Sequence, residues 1–135
     1  MIKVVIDTNV LVSAALTSYG NPAKILNLIS VNTEIQVYYC PDIINEYREV
    51  LSRPRLNINA EKQTRAINAI MRTGIRVDPI ASNIPLPDES DRIFYDTTCE
   101  SNAILITGNI KHYPAEDFIM TPRRFLDMLN SDESG

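Results

Sequence analysis

The chain has 135 residues, a length that suits one domain with a real hydrophobic core and is too short for two. Apolar residues make up 44% and charged residues 22%, a balance that excludes a disordered or fibrous chain. A formal net charge of -4 excludes a general attraction to nucleic acid, so any RNA has to be met by local basic patches.

Residues 2–6, Ile-Lys-Val-Val-Ile, are almost wholly apolar and β-branched, the pattern of a central parallel strand covered on both faces. This stretch is too short, and too soon interrupted by Asp7, for a signal peptide or a membrane span, so a cytoplasmic protein is expected. Helices are expected over 9–16 and 22–30, the second with Asn21 as cap and Pro22 at its first position. Strand character returns at 34–39. Pro41 then opens a helix whose face of Ile43, Ile44, Tyr47, Val50 and Leu51 follows a 3.6-residue spacing, and Pro54 stops it. A more polar helix fits 60–73, capped by Asn59 and stopped by Gly74, with a short strand from Ile75. Residues 84–90 read as a loop. Ser90 or Asp91 then caps a helix reaching about Ser101. A second buried strand covers 103–107, a short edge strand 118–120, and Thr121 caps a last amphipathic helix, leaving 131–135 as a frayed tail. Strands alternating with helices in this way predict a single domain, residues 1–130, built as a three-layer α/β/α sandwich around a mostly parallel sheet.

In such a sheet ligands collect beyond the carboxyl ends of the strands, where Asp7 and Asn109 are expected. With four glycines, at 20, 74, 108 and 135, neither a G-x-G-x-x-G fingerprint nor a Walker loop can be written. A phosphatase with an aspartate nucleophile after its first strand needs a second aspartate two residues on, where this chain has Asn9. The sole histidine, His112, lies in a Lys-His-Tyr-Pro loop with no serine elbow, and reads as an ordinary loop residue. Cys40 and Cys99 have no Cys-x-x-Cys partner and no histidine nearby, so they are expected to be two buried free thiols rather than zinc ligands.

Carboxylates remain. Glu46 lies at the rim of its helix's apolar stripe, and Asp91 falls between Phe94 and Tyr95 at the first turn of its helix. Three acids, Asp7, Glu46 and Asp91, can therefore converge above one edge of the sheet. Two such charges about 4 Å apart repel by roughly 4 kcal/mol at an effective dielectric near 20, so their convergence implies a compensating cation. Oxygen donors without histidine or thiolate select Mg2+ or Mn2+, and the matching chemistry is phosphodiester hydrolysis. Taken singly each acid has a plainer role: Asp7 and Asp91 as helix caps, Glu46 as a surface charge.

Four patches in order along the chain resemble the PIN-domain family, many of whose members are ribonuclease toxins of toxin–antitoxin pairs. These are Val4 to Ser13 with its Asp-Thr-Asn, Pro41 to Leu51 around Glu46, Pro87 to Asp96 around Asp91, and Ile104 to Asn109 with Ile-Thr-Gly-Asn. The forms Asp-Arg-Ile-Phe-Tyr-Asp and Gly-Asn-Ile-Lys-His-Tyr-Pro are most similar to a subgroup of toxin components. The resemblance implies a PIN-like fold and a divalent-metal-dependent endoribonuclease, with one or two Mg2+ or Mn2+ ions on Asp7, Glu46, Asp91 and Asn109. Many PIN domains have an aspartate where this chain has Asn109, which implies a weaker second metal. Thr8, Asn9, Asp96 and Thr107 are expected to orient the acids by hydrogen bonds. RNA contact would fall to Arg53, Arg55, Lys111, Arg123 and Arg124, with Tyr19 or Tyr113 for stacking. The implied partners are RNA, a small antitoxin and a second copy of the chain. A catalytically silent module that keeps the fold for binding or oligomerisation is the alternative reading.

Overall fold

Val4, Val5 and Ile6 of strand β1 (Ile2–Ile6) are fully buried, as an unbroken β-branched run requires of a strand covered on both faces. In this computed structural model, which describes residues 1–134 and the side chains of residues 1–131, β1 is the centre of a five-stranded sheet. Strands β2 (Ile35–Tyr39), β3 (Ile75–Arg76), β4 (Ile104–Ile106) and β5 (Ile119–Met120) complete it in the order β3-β2-β1-β4-β5. Every pairing is parallel, with Val4 opposite Val37 on one side and Ile104 on the other.

Among the described residues five α-helices lie between strands, α1 (Thr8–Leu16), α2 (Asn21–Val31), α3 (Pro41–Leu51), α4 (Ala60–Met71) and α5 (Arg92–Ser101), and α6 (Pro122–Ser134) follows β5. The chain steps from β1 to β2 to β3 in one direction and then crosses back over β1 to β4. Right-handed crossovers therefore place the connections of these two journeys on opposite faces. Accordingly α1, α2, α3 and α4 pack on one another, α6 joins them against α2, and α5 lies against β1, β2 and β4. The result is a three-layer α/β/α sandwich. The order of strands reverses between β1 and β4, so the crevice beyond the carboxyl ends of these two strands is the natural site for a ligand.

Local chemistry departs from the sequence expectations in a few places. Helix α2 begins at Asn21 itself, with Gly20 in the cap position and no side-chain capping bond. Asn59 caps α4 as expected, accepting from the Lys62 N–H at 2.8 Å, and Thr121 Oγ1 accepts from the Arg124 N–H at 3.2 Å. Asp91 takes the N-cap position of α5 as expected, but without a side-chain capping bond. Asp88 caps the short 3-10 turn ahead of it, Glu89–Asp91, accepting from the Ser90 N–H at 3.0 Å. Asn102, in the left-handed region at φ 54°, ends α5. Cys40 is buried, but Cys99 is exposed, since its position on α5 turns away from the sheet. The residues expected to fray from Ser131 continue α6 through Ser134, and Gly135 lies outside the described residues.

Candidate functional site

Asp7 follows the last residue of β1 and is 4% exposed. Its backbone N–H donates to the Ile106 carbonyl at 3.0 Å, which locks it beside the end of β4. Oδ1 accepts from the Thr8 N–H at 2.7 Å and so caps α1. Oδ2 accepts three bonds: from Thr107 Oγ1 at 2.7 Å, Tyr113 OH at 3.0 Å and Asn9 Nδ2 at 3.2 Å. The cap uses one bond to Oδ1, while the three side-chain donors gather on Oδ2.

Thr8, Asn9 and Thr107 bind the two strand ends together. Thr8 Oγ1 donates to Glu46 Oε2 at 2.6 Å, so a residue of α1 reaches the acid of α3. Asn9 Oδ1 accepts from the Gly108 N–H at 2.8 Å, and its Nδ2 also lies 3.4 Å from Thr107 Oγ1. Thr107 is fully buried, and its Oγ1 accepts from the Asn109 N–H at 3.0 Å. A side chain larger than glycine at 108 would press on Asn9, since a Cβ there would stand 3.1 Å from Asn9 Oδ1. Next to Glu46, the buried Tyr47 donates its hydroxyl to the Ile6 carbonyl, which seats α3 over the end of β1.

Asp91 comes from the turn before α5 and has only 15% of its side chain exposed. His112 Nδ1 stands 3.3 Å from Asp91 Oδ2, an ion pair when the imidazole is protonated, and this buried oxygen has no other polar partner among the described residues. His112 is thus more than a loop residue. Tyr113, offered by the sequence for base stacking, is buried, and its hydroxyl is spent on Asp7.

All three carboxyls are held above their ordinary range. Burial raises Asp7 most, against the pull of its hydrogen bonds from Thr107, Tyr113, Thr8 and Asn9. Burial also leads for Glu46, followed, after the opposing Thr8 bond, by the charges of Asp7 and Glu49. Asp91 is pushed up to about 6, by burial first and the Asp7 charge second, with His112 pulling the other way. After burial, the charge of Asp7 is the larger of the neighbouring charges that raise each of the other two acids.

Several expected site residues do not join it. Asp96 is buried on the same helix that follows Asp91, yet its Oδ2 accepts from the Ser82 N–H at 3.0 Å and holds the loop before α5. Five residues along a helix turn it to another side. Asn109 is exposed and makes no side-chain hydrogen bond among the described residues; its backbone N–H and carbonyl close the turn instead. The basic residues are not gathered: Arg53 pairs with Glu49 at 2.9 Å and Arg123 with Asp127 at 4.0 Å, while Arg55, Lys111 and Arg124 lie exposed. Arg53 does lower Glu46 electrostatically. Tyr19 is 89% exposed in the turn between α1 and α2. Sequence reasoning missed His112, Tyr113 and Arg92, whose guanidinium donates to the Ser82 and Ile84 carbonyls. For Tyr113 the available signal was Pro114, which biases the preceding residue to an extended backbone.

A divalent cation fits the chemistry of this donor set, which offers carboxylate oxygens, among them the buried Oδ2 of Asp91 whose one polar neighbour among the described residues is the His112 imidazole. The expected three-acid cage is corrected: among the described residues no three His, Cys, Asp or Glu side chains stand close enough together to hold one ion. Thr8 bonds both Asp7 and Glu46, while Asp91 is approached only by His112, so the acids share a crevice without forming a closed cage. Mg2+ commonly keeps several waters and takes one or two carboxylates directly, and that is the mode this arrangement fits.

A sequence model described as "PIN domain" matches residues 3–111. An uncharacterized protein of Methanocaldococcus jannaschii is 35% identical over 111 residues, spanning 80% of this chain and 71% of that protein. Among solved structures, the crystal structure of VapBC2 from Rickettsia felis bound to a DNA fragment from their promoter is similar in fold. Its TM-score is 0.58 at 14% identity, over 88% of this chain and 97% of the other.

Proposed function

Because the chain belongs to the PIN-domain family, whose members are generally nucleases using divalent metals, we propose that it is a Mg2+- or Mn2+-dependent endoribonuclease. The observation that carries this reading is that Asp7, at the end of β1 beside β4, is tied through Thr8 to Glu46 and through the adjacent Tyr113 and His112 to Asp91. Burial raises all three carboxyls, and the charge of Asp7 adds to the rise of the other two, a repulsion that a cation would relieve.

Asp7 and Asp91 or Glu46 would hold the ion directly, the remaining acid through water. A bound Mg2+ or Mn2+ supplies polarisation of the phosphodiester and a water acidified for attack. Thr107, Tyr113 and Asn9 fix Oδ2 of Asp7, which leaves Oδ1 with a free lone pair. Thr8 orients Glu46. Asp91 keeps a proton at its carboxyl until about pH 6 in the absence of an ion, so a cation and a proton compete for this residue and loading the one would release the other.

The same proposal assigns the chain as the toxin of a toxin–antitoxin pair, neutralised by a small partner protein that covers the acidic cleft. Support comes from the segments around Asp91 and His112 that resemble toxin components, and from the fold shared with VapBC2. No helix among the described residues is long and apolar enough to cross a membrane, and a cytoplasmic setting and a homodimer belong to the proposal.

Cleavage of labelled RNA with Mn2+ tests the reading. Asp7→Asn and Asp91→Asn should cut at least 100-fold more slowly, on the order of the loss for an active-site group, with an unchanged circular dichroism spectrum. Parental cleavage by Asp7→Asn defeats the assignment. The lack of a three-acid cage favours one competing reading, a binding module without catalysis, which predicts no metal response at all.

A further inference from the structure

Two neighbouring side chains in the turn after β4 each reach an acid of a different element. Tyr113 donates its hydroxyl to Asp7 Oδ2 at 3.0 Å, and His112 places Nδ1 3.3 Å from Asp91 Oδ2. We propose that His112 and Tyr113 are positioning residues, a two-armed bracket that sets the spacing of Asp7 and Asp91 for the cation. The inference rests on the nuclease reading above.

The local sequence builds the bracket. Residues Ile110–His112 form a 3-10 turn, closed by the His112 N–H on the Asn109 carbonyl at 3.0 Å and the Tyr113 N–H on the Ile110 carbonyl at 3.2 Å. Asn109 ties this turn to the site by donating its N–H to Thr107 Oγ1, whose own hydroxyl donates to Asp7. Pro114 disfavours a helical conformation at the residue before it, and Tyr113 is extended at φ -126°, ψ 160°. The turn ends there, and the side chains of 112 and 113 diverge, one to each acid.

Each arm supplies what its acid lacks. Burial and the charges of Asp7 and Asp91 hold the Tyr113 phenol well above its usual range, so it stays a donor throughout the working pH range. With Thr107 and Asn9 it fills Oδ2 of Asp7, so Oδ1 is the oxygen that would be left to hold a cation. Asp91 Oδ2, buried and otherwise without a polar partner, is oriented by the imidazole alone. Partners that orient metal-binding groups in this way are commonly worth 10- to 100-fold in metal affinity, on the order of magnitude expected here.

The test is Mn2+ binding to the whole chain by calorimetry, without RNA, beside the metal-free melting temperature. Tyr113→Phe keeps the buried ring and removes only the hydroxyl; His112→Ala removes the imidazole; His112→Asn returns an N–H donor near the position of Nδ1. Tyr113→Phe and His112→Ala should each weaken Mn2+ binding about tenfold with little change in metal-free melting, and His112→Asn should recover most of the loss. Parental affinity in either weakened variant, or no recovery in His112→Asn, overturns the bracket while leaving the nuclease reading in place. A parent chain that binds no Mn2+ overturns both.

Discussion

Asp91 carries its charge against its surroundings, and the pH dependence of stability should reveal it. The folded carboxyl, at about 6, holds its proton to a higher pH than the unfolded one near 3.8. It therefore favours folding fully below about pH 4 and loses that contribution as the pH rises through about 6. Asp91→Asn cannot ionise, so its stability relative to the metal-free parent should improve between about pH 4 and pH 7. After discounting for solvent screening at a partly exposed group, the gain is about 1 kcal/mol, measurable by urea denaturation. An equal difference at both pH values would refute this account. At this scale the acids were legible because Asp7, Glu46 and Asp91 each sit at a strand end or a helix rim. Their partners were not: Tyr113 and Asp7 are 106 positions apart, and no periodicity links an aromatic in a loop to a carboxylate on another strand.

At the scale of elements, helix and strand periods were readable because each buried face repeats, and β1, β2 and α3 follow them closely. Ends were less readable, since short polar residues compete for one capping role. Of the two candidates Ser90 and Asp91, Asp91 takes the N-cap position of α5 without a side-chain bond, and the capping bond one turn earlier comes from Asp88, which the sequence reading passed over. Gly74, read as a helix stop, has a second duty that only packing exposes. A Cβ there would collide with the Ile70 carbonyl oxygen and meet the Tyr39 ring at 2.9 Å, so α4 could not hand over to β3 so tightly. Gly74→Ala is expected to cost about 1–3 kcal/mol in equilibrium unfolding, as overpacking does. A neutral result would mean that the Tyr39 ring and the turn yield freely.

Across the whole molecule, ion binding and folding are one equilibrium, because the acids come together only in the native chain. Mn2+ at about 100 times its dissociation constant should add about 2.7 kcal/mol and raise the melting temperature by on the order of 10 °C. Asp7→Asn should abolish the rise; a parent that melts at the same temperature with and without Mn2+ favours the silent module. The layered architecture was foreseeable from alternating strands and helices. The reversal of strand order was not, because β1 and β4 pair residues 100 positions apart, Val4 with Ile104 and Ile6 with Ile106. That pairing has a consequence during synthesis. A nascent chain that has left the ribosome only as far as β3 presents Asp7 without Thr107 or Tyr113 and lacks Asp91 altogether. The crevice cannot exist until β4, Thr107 and Tyr113 have followed, so a copy whose synthesis stalls at β3 has no place to seat a cation.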